Sequence, residues 1–285
     1  MPRIAYVNGR YEPHANASVH VEDRGYQFAD GVYEVCEIHH GAIIDLEPHL
    51  DRLDRSLNEL SIAWPMSRRA LPLVMREVAA RNGVHDGIVY IQVTRGVAPR
   101  DHAFPKKTRP ALVVTAKAMD RSRNDRKREE GVHVVTVANN RWERVDIKTV
   151  GLLPNVLARQ EAIGRGADEA WFVAADGTVL EGASTNAWIV KDGTILTREA
   201  EQGILKGITR QTILKVAEAL QLTVEERSFT VEEARHADEA FNTAASTLVM
   251  PVISIDAHMI GKGTRGPVTQ RLQEAYHDIA ERTPA

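Results

Sequence analysis

A single cysteine, Cys36, occurs in the 285 residues. That excludes a disulfide within the chain and any cysteine-based zinc site. No apolar run approaches the ~18 residues of a membrane span. The opening Met1-Pro-Arg-Ile-Ala-Tyr-Val-Asn-Gly lacks the unbroken apolar core of a signal peptide. A cytoplasmic protein with no membrane partner is expected. Basic charge is not in excess either: 36 Lys and Arg face 39 Asp and Glu, a net charge of −3. No footprint for nucleic acid follows from that balance, and no nucleic-acid partner is expected. Three motifs are also missing: Gly-Lys-Ser/Thr, Gly-x-Ser-x-Gly and His-Glu-x-x-His. P-loop, hydrolase-elbow and metalloprotease readings therefore lose their support. His39 and His40 are neighbours on an expected strand, where they would point to opposite faces and chelate poorly. No metal is expected.

What is present is ordinary for a globular chain: 43% hydrophobic and 26% charged residues, in a length that suits one large domain or two. The pattern predicts two α+β domains, residues 1–119 and 131–285, joined by a linker at 120–130. Ile4 to Val7, Asn8-Gly9 and Tyr11 read as a hairpin. Val32 to His39 and Ala42 to Asp45 read as another, turning at His40-Gly41. Leu50, Leu53, Leu57 and Leu60 recur at helical spacing. A second helix runs from Leu71 to Ala80 and ends near Asn82-Gly83. Ile88–Thr94 and Ala111–Ala118 are β-rich. The mixed charges of 120–130 have no apolar face and read as a solvated connection. Beyond them come a strand at Val132–Ala138, a short helix at Leu157–Ile163, and hairpins at Asp176-Gly177 and Asp192-Gly193. A helix at Thr209–Leu220 is expected to bury Ile213, Val216, Ala217 and Leu220. Phe241 and Met250–Ile255 suggest strands, and Pro267–Ala280 a closing helix.

Chemistry is sought first among the lysines, which make up nine of the 36 basic residues and are absent from the first 105. Lys148 lies between Ile147 and Val150 near the end of an expected strand. Partly apolar surroundings would lower its pKa and suit it to carbonyl chemistry. The alternative is a snorkelling surface lysine. Gly203-Ile-Leu-Lys-Gly-Ile-Thr-Arg leads into a helix, where backbone N–H groups, Gly207 and Thr209 suit a phosphate. It is equally a glycine turn with Thr209 as N-cap. Glu181, before a small-residue loop, either pairs with a buried heterocyclic nitrogen or starts a turn. Arg100 and His102 on a proline-pinned loop suit a carboxylate, though surface loops carry such pairs by chance. Together these features match pyridoxal 5′-phosphate, which needs a lysine, a phosphate pocket and an acid at its ring nitrogen.

The ordered set Glu22-Asp-Arg-Gly-Tyr-Gln-Phe-Ala-Asp-Gly-Val-Tyr-Glu, His49-Leu-Asp-Arg-Leu, Val93-Thr-Arg-Gly, Pro99-Arg-Asp-His-Ala-Phe-Pro, Asp146-Ile-Lys-Thr, Glu181-Gly-Ala-Ser-Thr-Asn and Leu205-Lys-Gly-Ile-Thr-Arg resembles the fold-type IV aminotransferases. The bacterial D-amino acid branch is the most similar. The resemblance covers nearly the whole chain. It implies a small N-terminal α+β domain, a larger C-terminal pseudo-barrel, pyridoxal phosphate at their interface and a homodimer acting on small amino and keto acids. It also implies that Lys148 bonds the cofactor and shuttles protons, and that Glu181 partners the ring nitrogen. Arg52, Gly207, Ile208 and Thr209 match the phosphate set, and Leu205 the residue packed on the ring. Tyr33, Arg100 and His102 match the substrate carboxylate trap, whose loop this family takes from the neighbouring subunit. At Ala244-Ala245 the chain departs from the family, which commonly has phosphate-binding hydroxyls there; Ser246 or Thr247 is the available substitute. Cys36 is expected in the core, on the strand face opposite Tyr33.

On this resemblance the expected activity is transfer of the D-alanine amino group to 2-oxoglutarate or pyruvate, in ping-pong order. The rivals are a branched-chain L-amino acid aminotransferase, an (R)-selective amine transaminase, an aminodeoxychorismate-lyase-like enzyme and a non-catalytic binder of the cofactor. An amine transaminase has no need of a carboxylate trap, and pure binding needs no acid at the ring nitrogen.

Overall fold

The computed structural model describes residues 3–200 and 203–284. Backbone contacts divide the chain into two units. The first comprises Met1–Asp120, Ile147–Gly151 and Glu281–Ala285, and the second Arg121–Asp146 and Leu152–Ala280. The expected division at a 120–130 linker is therefore corrected at three places. A five-residue piece around Lys148 and the last residues belong with the first unit, and the charge run itself is a helix in the second.

In chain order the first unit contributes β1 (Ile4–Val7), β2 (Arg10–Pro13), α1 (Arg24–Phe28), β3 (Gly31–His39) and β4 (Ala42–Ile44). It continues with α2 (Leu46–Glu59), α3 (Leu71–Arg81), β5 (Gly87–Thr94) and β6 (Ala111–Ala118). The second unit supplies α4 (Arg121–Glu130), β7 (Val132–Ala138), α5 (Leu153–Gly164), β8 (Glu169–Val173) and β9 (Val179–Gly182). Then follow β10 (Asn186–Lys191), β11 (Thr194–Thr197), α6 (Ile208–Ala219), β12 (Val224–Glu226) and α7 (Val231–Arg235). It closes with β13 (Glu239–Ala244), β14 (Leu248–Ile255), β15 (His258–Met259) and α8 (Pro267–Ile279); β16 (Arg282–Pro284) returns to the first unit.

The first unit is a seven-stranded sheet in the order β16-β4-β3-β5-β6-β1-β2. Hairpin turns fix its registers: Asn8 and Gly9 take φ of 48° and 99°, the left-handed pair that a two-residue hairpin needs. Val32, Cys36 and Ile38 on β3 face the leucine stripe of α2, Leu50, Leu53 and Leu57, in one core with Val78, Val89 and Ile91. Cys36 lies in that core, as its register requires. Alternation along β3 stops at His39, because His40 takes φ 47°. The two rings therefore stand with centroids 4.1 Å apart instead of on opposite faces.

The second unit is a nine-stranded sheet, β12-β11-β10-β13-β14-β7-β8-β9, with β15 on β14. Trp171, Ile189, Ala240 and Met250 fill one core, and Phe172, Ala162, Leu180 and Ile204 another. α4 has no apolar face, which is why periodicity misses it. Its arginines, lysine and glutamates are good helix formers. Ion pairs also secure it: Lys127 to Asp168 at 2.5 Å and Arg128 to Asp125 at 3.0 Å. Leu220, expected in the buried stripe of α6, is the C-cap and only half-buried. Among the described residues, no helix is long and apolar enough to cross a membrane.

Candidate active site

Lys148 does not end a regular strand. Thr149 makes one isolated antiparallel bridge to Val32. The Tyr33 N–H donates to Lys148 O at 3.0 Å, and the Val150 N–H to Gly31 O at 3.1 Å. Ile147 is buried in the sheet core. These two hydrogen bonds are the bridge, and with buried Ile147 they fix a segment of five residues against the start of β3. The half-buried Lys148 side chain lies on Tyr33, with Nζ 4.3 Å from the ring centroid, where the negative face of the ring meets an amine. Tyr33 in turn stacks on Tyr90 at 5.7 Å. Burial, with Tyr33 alongside, pushes the Tyr90 phenol up to about 12, so its O–H stays a donor and bonds Gln92 Oε1 at 2.7 Å.

Arg52 extends from α2 toward β3, and its partner there is one that sequence reasoning missed. Glu34 is 1% exposed and sits in the same register as Cys36, among apolar side chains. Arg52 Nε and Nη2 donate to its two oxygens, each at 2.8 Å. The His49 Nδ1–H donates to Oε2 at 2.7 Å; the carboxylate can only accept, which sets that tautomer. Burial works against the Glu34 charge, but Arg52 and the hydrogen bonds of Arg52 and His49 prevail and hold its carboxyl at about 2. Burial also lowers the His49 pKa, and Glu34 offsets only part of that. A signal was available: an acid on the apolar register of a strand demands a buried cation, and Arg52 stands beside the leucine stripe.

Glu34→Gln leaves the Arg52 guanidinium buried against a neutral amide and is expected to destabilise the protein by about 3–5 kcal/mol at pH 7. The Glu34 carboxyl lies at about 2 in the fold against an ordinary 4.5. Its stabilising effect is therefore complete above pH ~4.5 and fades as the pH falls toward 2. Urea unfolding at pH 7 and pH 3 checks this. The gap between variant and parent must narrow at pH 3, and an equal gap at both would refute the assignment.

The loop carrying Arg100 and His102 is anchored by arginines that were not singled out from sequence. Arg24, 3% exposed, donates through Nη1 to Asp101 O at 2.6 Å and Ala103 O at 3.4 Å, and through Nη2 to His102 O at 3.4 Å. Its Nε and that of Arg95 both bond Asp30 Oδ2, at 2.8 and 2.7 Å. These two guanidiniums hold the Asp30 carboxyl below its ordinary value against the effect of burial. Arg95 also covers Phe104, with Cζ 3.6 Å from the ring centroid. The Arg100 and His102 side chains are exposed, and both rest on Phe28. The Arg100 Cζ is 4.6 Å from that ring centroid and the His102 ring 5.4 Å.

In the second unit Glu181 is buried at the end of β9. Oε1 is paired with Arg141 Nη1 at 2.5 Å. The Leu205 N–H donates to both oxygens, at 3.2 and 3.1 Å, and Asn186 Nδ2 to Oε2 at 3.2 Å. Arg141, also missed from sequence, lies over Phe172 with Cζ 4.3 Å from the ring centroid. Asn186 also bonds Leu205 O at 3.0 Å, so it ties Glu181 to the loop that enters α6. Gly207 is required there by crowding: a Cβ would meet Asn186 Oδ1 at 2.1 Å. Gly207, not Thr209, is the N-cap of α6, and no side chain caps it. Ile208 and Thr209 follow, both buried, with the unpaired N–H groups of a first helical turn.

Ala244 and Ala245 open the turn between β13 and β14. α4 props that turn from outside: Asn124 Nδ2 donates to Ser246 O and Arg128 Nε to Thr247 O, each at 3.4 Å. Thr247 Oγ1 is buried without a hydrogen-bond partner. The predicted residues thus form several groups. Lys148 lies with Tyr33, Arg52 with the unforeseen Glu34 and His49, and Arg100 with His102. Glu181 lies with Leu205 and the start of α6, and Ala244 and Ala245 with Thr247.

The model of the family "Amino-transferase class IV" matches residues 31–255. The D-alanine aminotransferase of Staphylococcus haemolyticus is 39% identical over 277 residues, 97% of each chain. That of Bacillus licheniformis is 40% identical over 271 residues, 95% of each. Among solved structures, a T.th. branched-chain amino acid aminotransferase with pyridoxamine 5′-phosphate superposes with a TM-score of 0.92 at 28% identity, covering 98% of this chain and 94% of that one.

Proposed function

Since the chain belongs to the class IV amino-transferase family, whose cofactor is pyridoxal 5′-phosphate, we propose that it transfers the amino group of a D-amino acid, D-alanine foremost, to a 2-keto acid. Bound, the cofactor supplies an aldehyde that condenses with amines and a ring that takes up the electron pair left at Cα. The residues fit such a group. Glu181 is a buried carboxylate, already paired with Arg141, which suits a heterocyclic N–H. The N-terminus of α6 lacks a side-chain cap, which suits an anion. Thr247 Oγ1 is buried and unpartnered beside the two alanines, so it can give the phosphate the hydroxyl that Ala244 and Ala245 lack.

In this reading Glu181 and Leu205 hold the ring, and Arg52, Gly207, Ile208, Thr209 and the 244–247 turn hold the phosphate. Lys148 Nζ takes the proton from substrate Cα in one half-reaction and returns one to product Cα in the other. Tyr33, Arg100 and His102 grip the substrate carboxylate. A fixed carboxylate makes the configuration at Cα decide whether its hydrogen faces Lys148. The reading rests on Glu181 above all, because a protein that merely binds the cofactor has no use for a buried acid beside it.

A homodimer belongs to the proposal. Arg100 and His102 are exposed on the single chain, and Val21, Tyr26, Val97 and Phe104 around them are exposed apolar residues of the kind that mark an interface. The loop then serves the neighbouring subunit's site. A branched-chain L-amino acid aminotransferase is the second reading, favoured by the superposition on the T.th. enzyme. Identity is 28% there against 39% and 40% for the D-alanine enzymes, which sets the order.

Titrating the holoenzyme with D-alanine and, separately, with L-alanine tests the reading. The visible band of the bound cofactor should vanish with D-alanine alone, alongside one pyruvate per site. Loss with L-alanine instead would transfer the assignment to the branched-chain reading.

A further inference from the structure

We propose that His39, His40 and Asp86 form a site for one divalent transition-metal ion, at the hairpin end of the first unit. The ligand atoms of the three residues all lie within 4.8 Å of one another. His39 Nδ1 stands 3.8 Å and His40 Nδ1 3.6 Å from Asp86 Oδ1. Both separations exceed a hydrogen bond. Two ligands about 2.0–2.1 Å from a tetrahedral ion are about 3.3 Å apart, so a few tenths of an ångström of closure would bring each imidazole to the required distance from the carboxylate, and the two imidazole nitrogens already lie within 4.8 Å of each other.

The backbone creates this arrangement. With His40 left-handed, adjacent histidines that a regular strand would separate come to the same side. Asp86, immediately before β5, is aimed at them from two directions. Oδ1 accepts the His40 N–H at 2.9 Å, and Oδ2 accepts from His85 Nδ1 at 3.0 Å. A histidine bonded to the second oxygen of a ligating carboxylate is the support that metal ligands require. The Gly41 N–H, donating to His85 O at 2.9 Å, locks the hairpin to the same segment. Two imidazoles and one carboxylate select zinc-like ions over magnesium or calcium, which prefer oxygen alone. The fourth position belongs to water. The bound ion would clamp the β3–β4 hairpin to the start of β5, so it would stabilise the sheet.

The experiment uses the untagged, full-length holoenzyme after chelator treatment, titrated calorimetrically with Zn2+ and, in parallel, Mg2+. One Zn2+ per chain should bind saturably, and Mg2+ should not. Saturating zinc should raise the thermal midpoint by on the order of 5 °C. His40→Asn keeps a residue that tolerates φ near +50°, and Asp86→Asn keeps an oxygen for the His40 amide. Each should weaken zinc by about tenfold or more without lowering the midpoint of the metal-free protein by a comparable amount. Co2+ in place of zinc should give the intense visible bands of a tetrahedral site, absent from His40→Asn. Failure of zinc to bind stoichiometrically, or binding within about twofold of the parent when His40→Asn and Asp86→Asn are combined, overturns the proposal.

Discussion

Lys148→Ala is expected to lower turnover of D-alanine with 2-oxoglutarate by at least about 10⁴-fold while the protein stays folded. The size follows from the roles assigned to one amine. A positioned acid–base group contributes 10²–10⁴-fold, and loss of the group that holds the cofactor covalently adds to that. Folding is protected because the segment is fixed through its backbone and through Ile147, not through the lysine side chain. Removing Nζ uncovers one face of Tyr33, which keeps its stack on Tyr90. Absorbance of the cofactor after gel filtration separates loss of chemistry from loss of binding, and Lys148→Arg keeps a long basic side chain at Tyr33 that, being permanently protonated, can neither take up a proton nor condense with an aldehyde. Turnover within about tenfold of the parent in either variant would refute the assignment of Lys148.

How far the sequence could foretell this depends on what each feature rests on. β3, α2 and the hairpins of both units follow from local rules, alternation, leucine spacing and Asn-Gly or Asp-Gly turns, and the structure places them within a few residues. α4 is different: its stability comes from helix propensity and ion pairs, with no stripe to detect. His39 and His40 fail for a related reason, since one left-handed residue overturns a rule of alternation. The partition of the chain was also hidden, because nothing local marks Ile147–Gly151 as part of the first unit. Among site residues, Lys148 and Glu181 stand out as charges in apolar or loop contexts, whereas Arg52 enters only through the family resemblance. The partners His49 and Arg141 do not, since an ion pair between distant segments is not written into the local pattern of either one. Glu34 came closest to legibility, as an acid in the buried register of β3.

Arg100→Ala should lower kcat/KM for D-alanine by about 30- to 5,000-fold, the range that follows from 2–5 kcal/mol for truncating one member of a charge-assisted pair. An amine without a carboxylate should change by less than about threefold. Loop collapse is not a confounder, because Arg24 and Arg95 hold the loop through its backbone and through Phe104, whereas Arg100 itself lies exposed on Phe28. Equal losses for acid and amine would remove Arg100 from the carboxylate trap. The same variant decides which subunit supplies the loop. Lys148→Ala and Arg100→Ala chains, each nearly inactive alone, are unfolded together and refolded as a mixture. If the loop serves the neighbouring subunit, a hybrid dimer has one site with both defects and one with neither, and random pairing restores about a quarter of parental activity. If the loop serves its own chain, every site in the hybrid keeps one defect and the mixture stays as inactive as its parts.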